Sequence, residues 1–205
     1  MNPKCTIIIP YNKDRGYLQE AIDSVPKDVQ LILSKGDGTW PENFNKALPQ
    51  AKGEFIKYLH EDDRLTMDSI RISLECFELG IFRNVQFMHG NAIEVNQVTK
   101  NERLWKPPIE LPAFADLLKN NTIHSATVMY RREIFEEIGG FNESREVYSF
   151  EEYEFNLRVL KAGFNIGYVN DPLAYYRRHK EQIIRTVNNK ERKANRKKML
   201  ICMIG

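Results

Sequence analysis

The amino-terminal part of the chain alternates two hydrophobic patterns. Thr6-Ile7-Ile8-Ile9-Pro10 is a continuous, mostly β-branched run, the pattern of a strand buried on both faces. Leu18, Ala21, Ile22 and Val25 then recur at helical spacing, and Pro26 ends that segment. Val29 to Leu33 reads as a second buried strand, stopped by the turn-forming cluster Lys35-Gly36-Asp37-Gly38. A helix over Pro41 to Leu48, with proline in its first turn, precedes a third strand from Phe55 to Leu59. Met67 to Leu79 is expected to be an amphipathic helix carrying Ile70, Leu74 and Phe77, closed by Gly80. Strands alternating with helices imply right-handed crossovers and an α/β fold, with a mainly parallel sheet flanked by helices.

The pattern then loosens. Val85–Met88 and Ala92–Val95 are expected to pair as neighbouring strands around His89-Gly90-Asn91, and Lys106 to Pro112 to form a loop. Short helices are expected over Phe114–Leu118 and Glu133–Ile138, with a strand over Ser125–Tyr130 between them. A longer helix spans Glu151–Ala162, closed by Gly163, and a strand follows through Ile166–Val169.

Composition narrows the class. The chain has 205 residues, 42% of them hydrophobic and 28% charged, enough for one substantial core and ordinary for a globular protein. Its three cysteines, Cys5, Cys76 and Cys202, are far apart and odd in number, which argues against a disulfide framework or a cysteine metal site. Neither a signal peptide after Met1 nor an apolar run long enough to span a bilayer is present, so a cytoplasmic location is expected, at most peripheral to a membrane. The net charge of +2 hides an asymmetry, because between Arg177 and Lys198 ten basic residues face two acids. An acidic body with a basic carboxyl-terminal helix or tail (residues 186–205) invites a phosphate or a peripheral membrane-surface partner, beside the plainer reading of a solvated helix whose end packs on the domain, and no nucleic-acid partner is expected.

Three clusters carry candidate chemistry. In parallel sheets ligands bind at the carboxyl ends of strands, which points to Pro10-Tyr11-Asn12, to Asp37 and to His60-Glu61-Asp62-Asp63. Adjacent carboxylates repel one another. They persist where water solvates them or where Mg²⁺ or Mn²⁺, which favours oxygen ligands and often shares them with substrate phosphates, neutralises them. Glu151 and Glu152 stand at a helix amino terminus. There they complement the helix dipole, or one of them serves as a general base with a carboxyl pKa raised by desolvation. Tyr175-Tyr176-Arg177-Arg178-His179 offers cations for a diphosphate or simply a basic surface.

In combination and order, these segments resemble family 2 glycosyltransferases of the A-type fold over residues 5–182. Ile7-Ile8-Ile9-Pro10-Tyr11-Asn12 is similar to the family's opening strand and nucleotide-contacting loop, and Tyr17-Leu18 with Ala21-Ile22 and Ser24 to its first helix. Gly53 to Asp63 resembles the strand leading to the metal-binding DxD-type motif. Met129-Tyr130-Arg131-Arg132-Glu133 with Gly139-Gly140-Phe141-Asn142-Glu143 resembles the strand, helix and turn before the acceptor site. Glu151-Glu152-Tyr153-Glu154-Phe155 is similar to the helix that bears the catalytic base, and Tyr176-Arg177-Arg178-His179 to the late diphosphate-facing segment. The chain departs from the pattern at His60, where the first aspartate of the motif is usual, at Glu152, where aspartate is commoner, and at Ser34-Lys35-Gly36-Asp37, where an acidic pair is usual.

The resemblance implies a single-domain, Rossmann-like glycosyltransferase A-type fold, with a catalytic domain over 1–185 divided into a nucleotide-sugar half (1–95) and an acceptor half (96–185). It implies an inverting, metal-assisted transfer from a nucleotide diphosphate sugar, a UDP-sugar first among them, to a glycan or lipid-linked acceptor. Asp62 would hold Mn²⁺ or Mg²⁺, Glu152 or its neighbour Glu151 would act as base, and Arg177 and His179 would face the diphosphate. Pro10, Tyr11, Asn12, Asp37, His60 and Glu61 would line the donor site, with Asp37 the candidate for the nucleobase contact. The alternatives are a non-catalytic sugar-nucleotide-binding protein on the same fold and, with no glycine-rich phosphate loop to support it, a nucleotidyltransferase.

Overall fold

The run Thr6–Ile9 lies wholly buried at the centre of strand β1 (Cys5–Tyr11), as its unbroken apolar character requires. A computed structural model describes residues 3–78, 84–182 and 187–204. Helix α1 (Leu18–Asp23) leads to strand β2 (Gln30–Lys35), and helix α2 (Trp40–Ala47) to strand β3 (Phe55–Tyr58). β1 pairs in parallel with both β2 and β3. α2 begins with a capping box between Thr39 and Glu42 and carries Pro41 in its first turn. The expected third helix is α3 (Ser69–Glu78), reached through the two-residue strand β4 (Arg64–Leu65). Its expected end, Leu79 and Gly80, lies outside the described residues.

Beyond α3 the sheet departs from simple parallel winding. Strand β5 is one continuous element, Val85–Asn96, where two neighbouring strands were expected. His89-Gly90-Asn91 does not turn the chain, because two register shifts against a long partner absorb the irregularity. A hairpin returns as β6 (Glu102–Trp105) and helix α4 (Phe114–Lys119) follows. Ser125–Thr127 forms a 3₁₀ turn, leaving only Met129–Arg131 as strand β7, so the expected strand over 125–130 is half as long. Helices α5 (Arg132–Ile138) and α6 (Glu151–Lys161) precede strand β8, which runs from Asn165 to Arg178 rather than ending near Val169.

The sheet order is β2-β1-β3-β7-β5-β8-β4, with β6 attached to β5. β5 and β8 are parallel, whereas β7 runs antiparallel to β3 and β5, and β4 antiparallel to β8. The fold is thus α/β with a mixed sheet flanked by helices.

Two apolar clusters cover its faces. One gathers Phe44, Tyr58, Tyr130, Phe135, Phe141 and Phe155, and the other Ile7, Ile9, Phe55, Phe77 and Met88. The basic carboxyl-terminal segment is helix α7 (Asn189–Ile204), docked through Asn195, Met199 and Met203, which lie four apart on one face. Among the described residues no helix is long and apolar enough to cross a membrane.

Candidate active site

A cleft of about 820 Å³ opens where β1, β2 and β3 end, and α6, α7 and the end of β8 complete its walls. Pro10, Tyr11 and Asn12 enter it from the end of β1, Asp37 from the loop after β2, and His60, Glu61 and Asp62 from the loop after β3. The first two loops are tied by Asn43 on α2. Its buried side-chain amide donates to the carbonyls of Tyr11 (3.1 Å), Gly36 (3.3 Å) and Gly38 (3.4 Å). A Cβ on Gly36 would fall 2.2 Å from the Asn43 Oδ1, so glycine is what lets that tie form.

Two histidine–carboxylate contacts join the acidic loop to distant parts of the chain. His60 Nε2 lies 2.9 Å from Glu152 Oε1 on the first turn of α6, and His179 Nε2 lies 2.8 Å from Asp62 Oδ2. Burial disfavours a charged His60, but the hydrogen bond and charge of Glu152, with Asp62 and Asp63, outweigh it and raise its pKa to about 10. That shift favours the charged imidazolium, which donates to Glu152. Burial likewise works against an ionised Asp62. The His179 hydrogen bond and the His60 charge prevail, holding the carboxyl below its ordinary range.

Asp63 differs from its neighbour. It is buried behind the cleft, and desolvation, reinforced by the charge of Asp62, pushes its carboxyl well above the ordinary range. One of its oxygens accepts from the Arg177 backbone at 2.9 Å, and the other has no partner among the described residues. Glu61 pairs with Arg15, although burial and Asp62 raise its carboxyl pKa. Glu151 is buried, and desolvation, then the charge of Glu152, lifts its pKa to about 7.

The residues proposed from sequence converge on this cleft with one exception. Arg177, expected to face the diphosphate, lies behind the acidic loop. Its guanidinium donates to the Asp62 carbonyl (2.8 Å), Gln97 (2.8 Å) and Glu20 (2.6 Å), and stacks 4.3 Å over the Tyr17 ring. With each of its three nitrogens engaged there, it anchors the loop that presents Asp62.

Among the described residues no group of three or more His, Cys, Asp or Glu is arranged to hold a metal ion. Mg²⁺ and Mn²⁺ nevertheless need only one or two protein carboxylates when substrate phosphates complete the shell. An ionised Asp62 at the cleft wall is a fitting oxygen donor for that arrangement.

Sequence reasoning missed several wall residues. Trp40 packs edge-on to His60 at 5.0 Å, and Arg145, Arg192 and Arg196 form a basic wall. Trp40 follows a capping Thr39, so its position at a strand-to-helix junction was the available signal. The arginines carried none, because only the docking of α7 brings two of them to the cleft.

The profile of a family described as glycosyltransferase like family 2 matches residues 3–200. A candidate teichuronic acid biosynthesis glycosyltransferase, TuaG of Bacillus subtilis (strain 168), is 29% identical over 134 residues, covering 65% of this chain and 50% of its own length. The O-antigen biosynthesis protein RfbC of Myxococcus xanthus is 23% identical over 210 residues, covering 80% of this chain and 16% of its own. The chain therefore spans half or less of these relatives. Among solved structures, S. aureus TarS 1-349 in complex with UDP-GlcNAc superposes with a TM-score of 0.68 at 16% identity, covering 90% of this chain and 61% of the other. The same protein with UDP gives 0.66 at 17% identity, covering 98% and 70%. At these identities the likeness is one of fold.

Proposed function

This chain belongs to glycosyltransferase-like family 2, and from that premise we propose that it transfers a sugar from a nucleoside diphosphate sugar to an acceptor hydroxyl, with inversion at the anomeric carbon and metal assistance. One observation carries the reading. A single cleft holds Asp62, bonded to His179, and, on the first turn of α6, Glu152, bonded to His60. That is one carboxylate for the leaving diphosphate and another for the attacking oxygen.

The donor is a UDP-sugar, a choice supported by the UDP-GlcNAc and UDP bound in the two TarS structures. Residues 1–95 provide its half of the site, with Asp37 facing the base and Pro10, Tyr11, Asn12, His60 and Glu61 around nucleoside and sugar. Residues 96–185 provide the acceptor half, and the acceptor is a glycan or a lipid-linked saccharide.

Mn²⁺ or Mg²⁺ would be held by Asp62 together with donor phosphate oxygens, and when bound it supplies neutralising charge for the departing diphosphate. His179 orients Asp62 and adds a donor beside it. The acceptor oxygen attacks the anomeric carbon on the face opposite the phosphate. Glu152 takes its proton, and the bond from sugar to phosphate oxygen breaks to release the nucleoside diphosphate. His60 fixes the Glu152 carboxylate through their hydrogen bond, and Trp40 packs His60 in place.

A thermal-shift screen of nucleotide sugars with Mn²⁺, followed by measurement of nucleoside diphosphate release, tests the reading. A donor that binds the folded state must raise the melting temperature. Stabilisation without release or transfer to any acceptor would favour a binding protein on the same fold, and no stabilisation by any nucleotide sugar would end the proposal.

A further inference from the structure

One wall of the cleft has no task in the transfer described above. It includes Arg145, from the short turn over Arg145–Val147, and Arg192 and Arg196 from α7. Arg15, Arg131, Arg158, Arg177 and Arg178 all form ion pairs with carboxylates. Among the described residues, Arg145, Arg192 and Arg196 form none.

Arg192 lays its guanidinium 5.0 Å over the Phe150 ring, and its Nε is buried without a hydrogen-bond partner among the described residues. Arg196 uses one nitrogen on the Lys119 carbonyl at 2.6 Å. Next to Phe150, Ser149 holds a φ of 70°, a left-handed conformation costly for a residue with a Cβ, and its buried Oγ also lacks a partner among the described residues. Backbone strain and unmet buried donors in one place are expensive for a merely structural wall.

A guanidinium lying over an aromatic ring suits a planar or tetrahedral oxyanion that can accept two parallel bonds from its terminal nitrogens. A neutral saccharide would leave this wall unmatched. The place in the chain points to the acceptor as the substrate that would reach it, because Phe150 directly precedes Glu151 and Glu152 at the start of α6. We infer that Arg145, Arg192 and Arg196, with Ser149, form a subsite for an anionic group, a phosphate or a carboxylate, carried by the acceptor near the hydroxyl that Glu152 deprotonates. The inference rests on the proposed transfer for the role of Glu152, whereas the anion site itself does not.

The test uses three probes, glucose 1-phosphate, glucuronate and uncharged methyl glucoside. Binding to the full chain is followed by NMR, with UDP and Mn²⁺ saturating the donor side and again without them. With UDP present, the parent should bind a charged probe and not methyl glucoside, and the preferred probe tells phosphate from carboxylate. Arg192→Gln, and Arg145→Gln with Arg196→Gln, should weaken that probe by about tenfold or more while UDP affinity stays within about twofold. Arg192→Lys, which keeps the charge and loses the fork, should fall between. Arg145 is exposed, so Arg145→Gln alone keeps the test available if circular dichroism shows the α7 variants unfolded.

An equal loss of UDP affinity would assign the arginines to the donor and overturn the inference. Equal binding of methyl glucoside, or no charged-probe binding in a parent that holds UDP, would overturn it as well. Arg192-dependent binding of a charged probe by a parent that ignores every nucleotide would leave the anion site standing and remove the proposed transfer.

Discussion

His60 and Glu152 stand 92 positions apart in the chain and 2.9 Å apart in space. Their contact makes a definite demand on mutagenesis. Glu152→Gln keeps the size of the side chain and much of its hydrogen bonding but accepts no proton. Transfer should fall by about 10²–10⁴-fold, with UDP affinity retained in a titration. The reverse pattern, with Glu151→Gln inactive and Glu152→Gln active, would pass the role to the neighbour whose carboxyl burial lifts to about 7. Asp62→Asn should abolish Mn²⁺-dependent donor binding without unfolding the chain, and a variant that binds donor and metal like the parent would remove Asp62 as the ligand. A third residue affects stability rather than chemistry. Lys57 is fully buried and donates to the carbonyls of Ala126 (2.9 Å) and Val128 (3.0 Å), and burial pushes its pKa from 10.5 down to about 7. Between those values the unfolded chain holds a proton that the folded chain lacks, so the contribution of Lys57 to stability rises with pH across that window. Urea unfolding at about pH 6 and about pH 9 should show a smaller rise in Lys57→Met than in the parent. The lost carbonyl bonds add a deficit in the variant that does not vary with pH.

At the scale of elements, β1 and β3 approach so closely that Gly53 has no room for a side chain. A Cβ there would lie 2.5 Å from the Thr6 nitrogen and 2.6 Å from the Cys5 carbonyl carbon, both backbone atoms that cannot swing aside. Gly53→Ala should therefore cost about 1–3 kcal/mol in urea unfolding, through strain in this strand pair. The elements legible in sequence were those whose local signals agree. β1 is an unbroken apolar run, α2 has its proline and capping box, and α6 sets acids at its amino terminus with Phe155 and Leu157 inward. β8 outruns the strand expected over Ile166–Val169, because pairing with β5 carries it through Asn170-Asp171-Pro172, a segment rich in strand-breaking residues, with bulges. The same division holds in the site. Asp62 and Glu152 were visible in the order of motifs. Asn43 tying two loops, Arg177 turned behind the acidic loop and the arginine wall were not, because each depends on which element packs against which.

At the scale of the whole molecule, the docking of α7 divides its basic and apolar residues between two surfaces. Met199 and Met203 face the body, whereas Lys190, Lys193, Lys197 and Lys198 are exposed, as are Ile201 and Ile204. If the exposed side meets an anionic membrane, each lysine contributes about 1 kcal/mol at close approach, and salt screens it. The full chain should then cosediment with anionic vesicles at low salt, and lose that binding at high salt or when the four lysines become glutamine. Equal, negligible binding by both proteins would leave α7 a docking and cleft-lining helix. The strand order has a further consequence. β7 lies between β3 and β5, and β8 between β5 and β4, so β3, β4 and β5 each have a sheet neighbour from much later in the chain. Residues 1–95 therefore hold no sheet that can close by itself, whatever share of the substrate they bind. A ribosome that has made only those residues has released β3 with one edge bare, and long-range pairing of this kind is slow and exposed to aggregation. Until β7 emerges, that edge has no partner of its own to cover it.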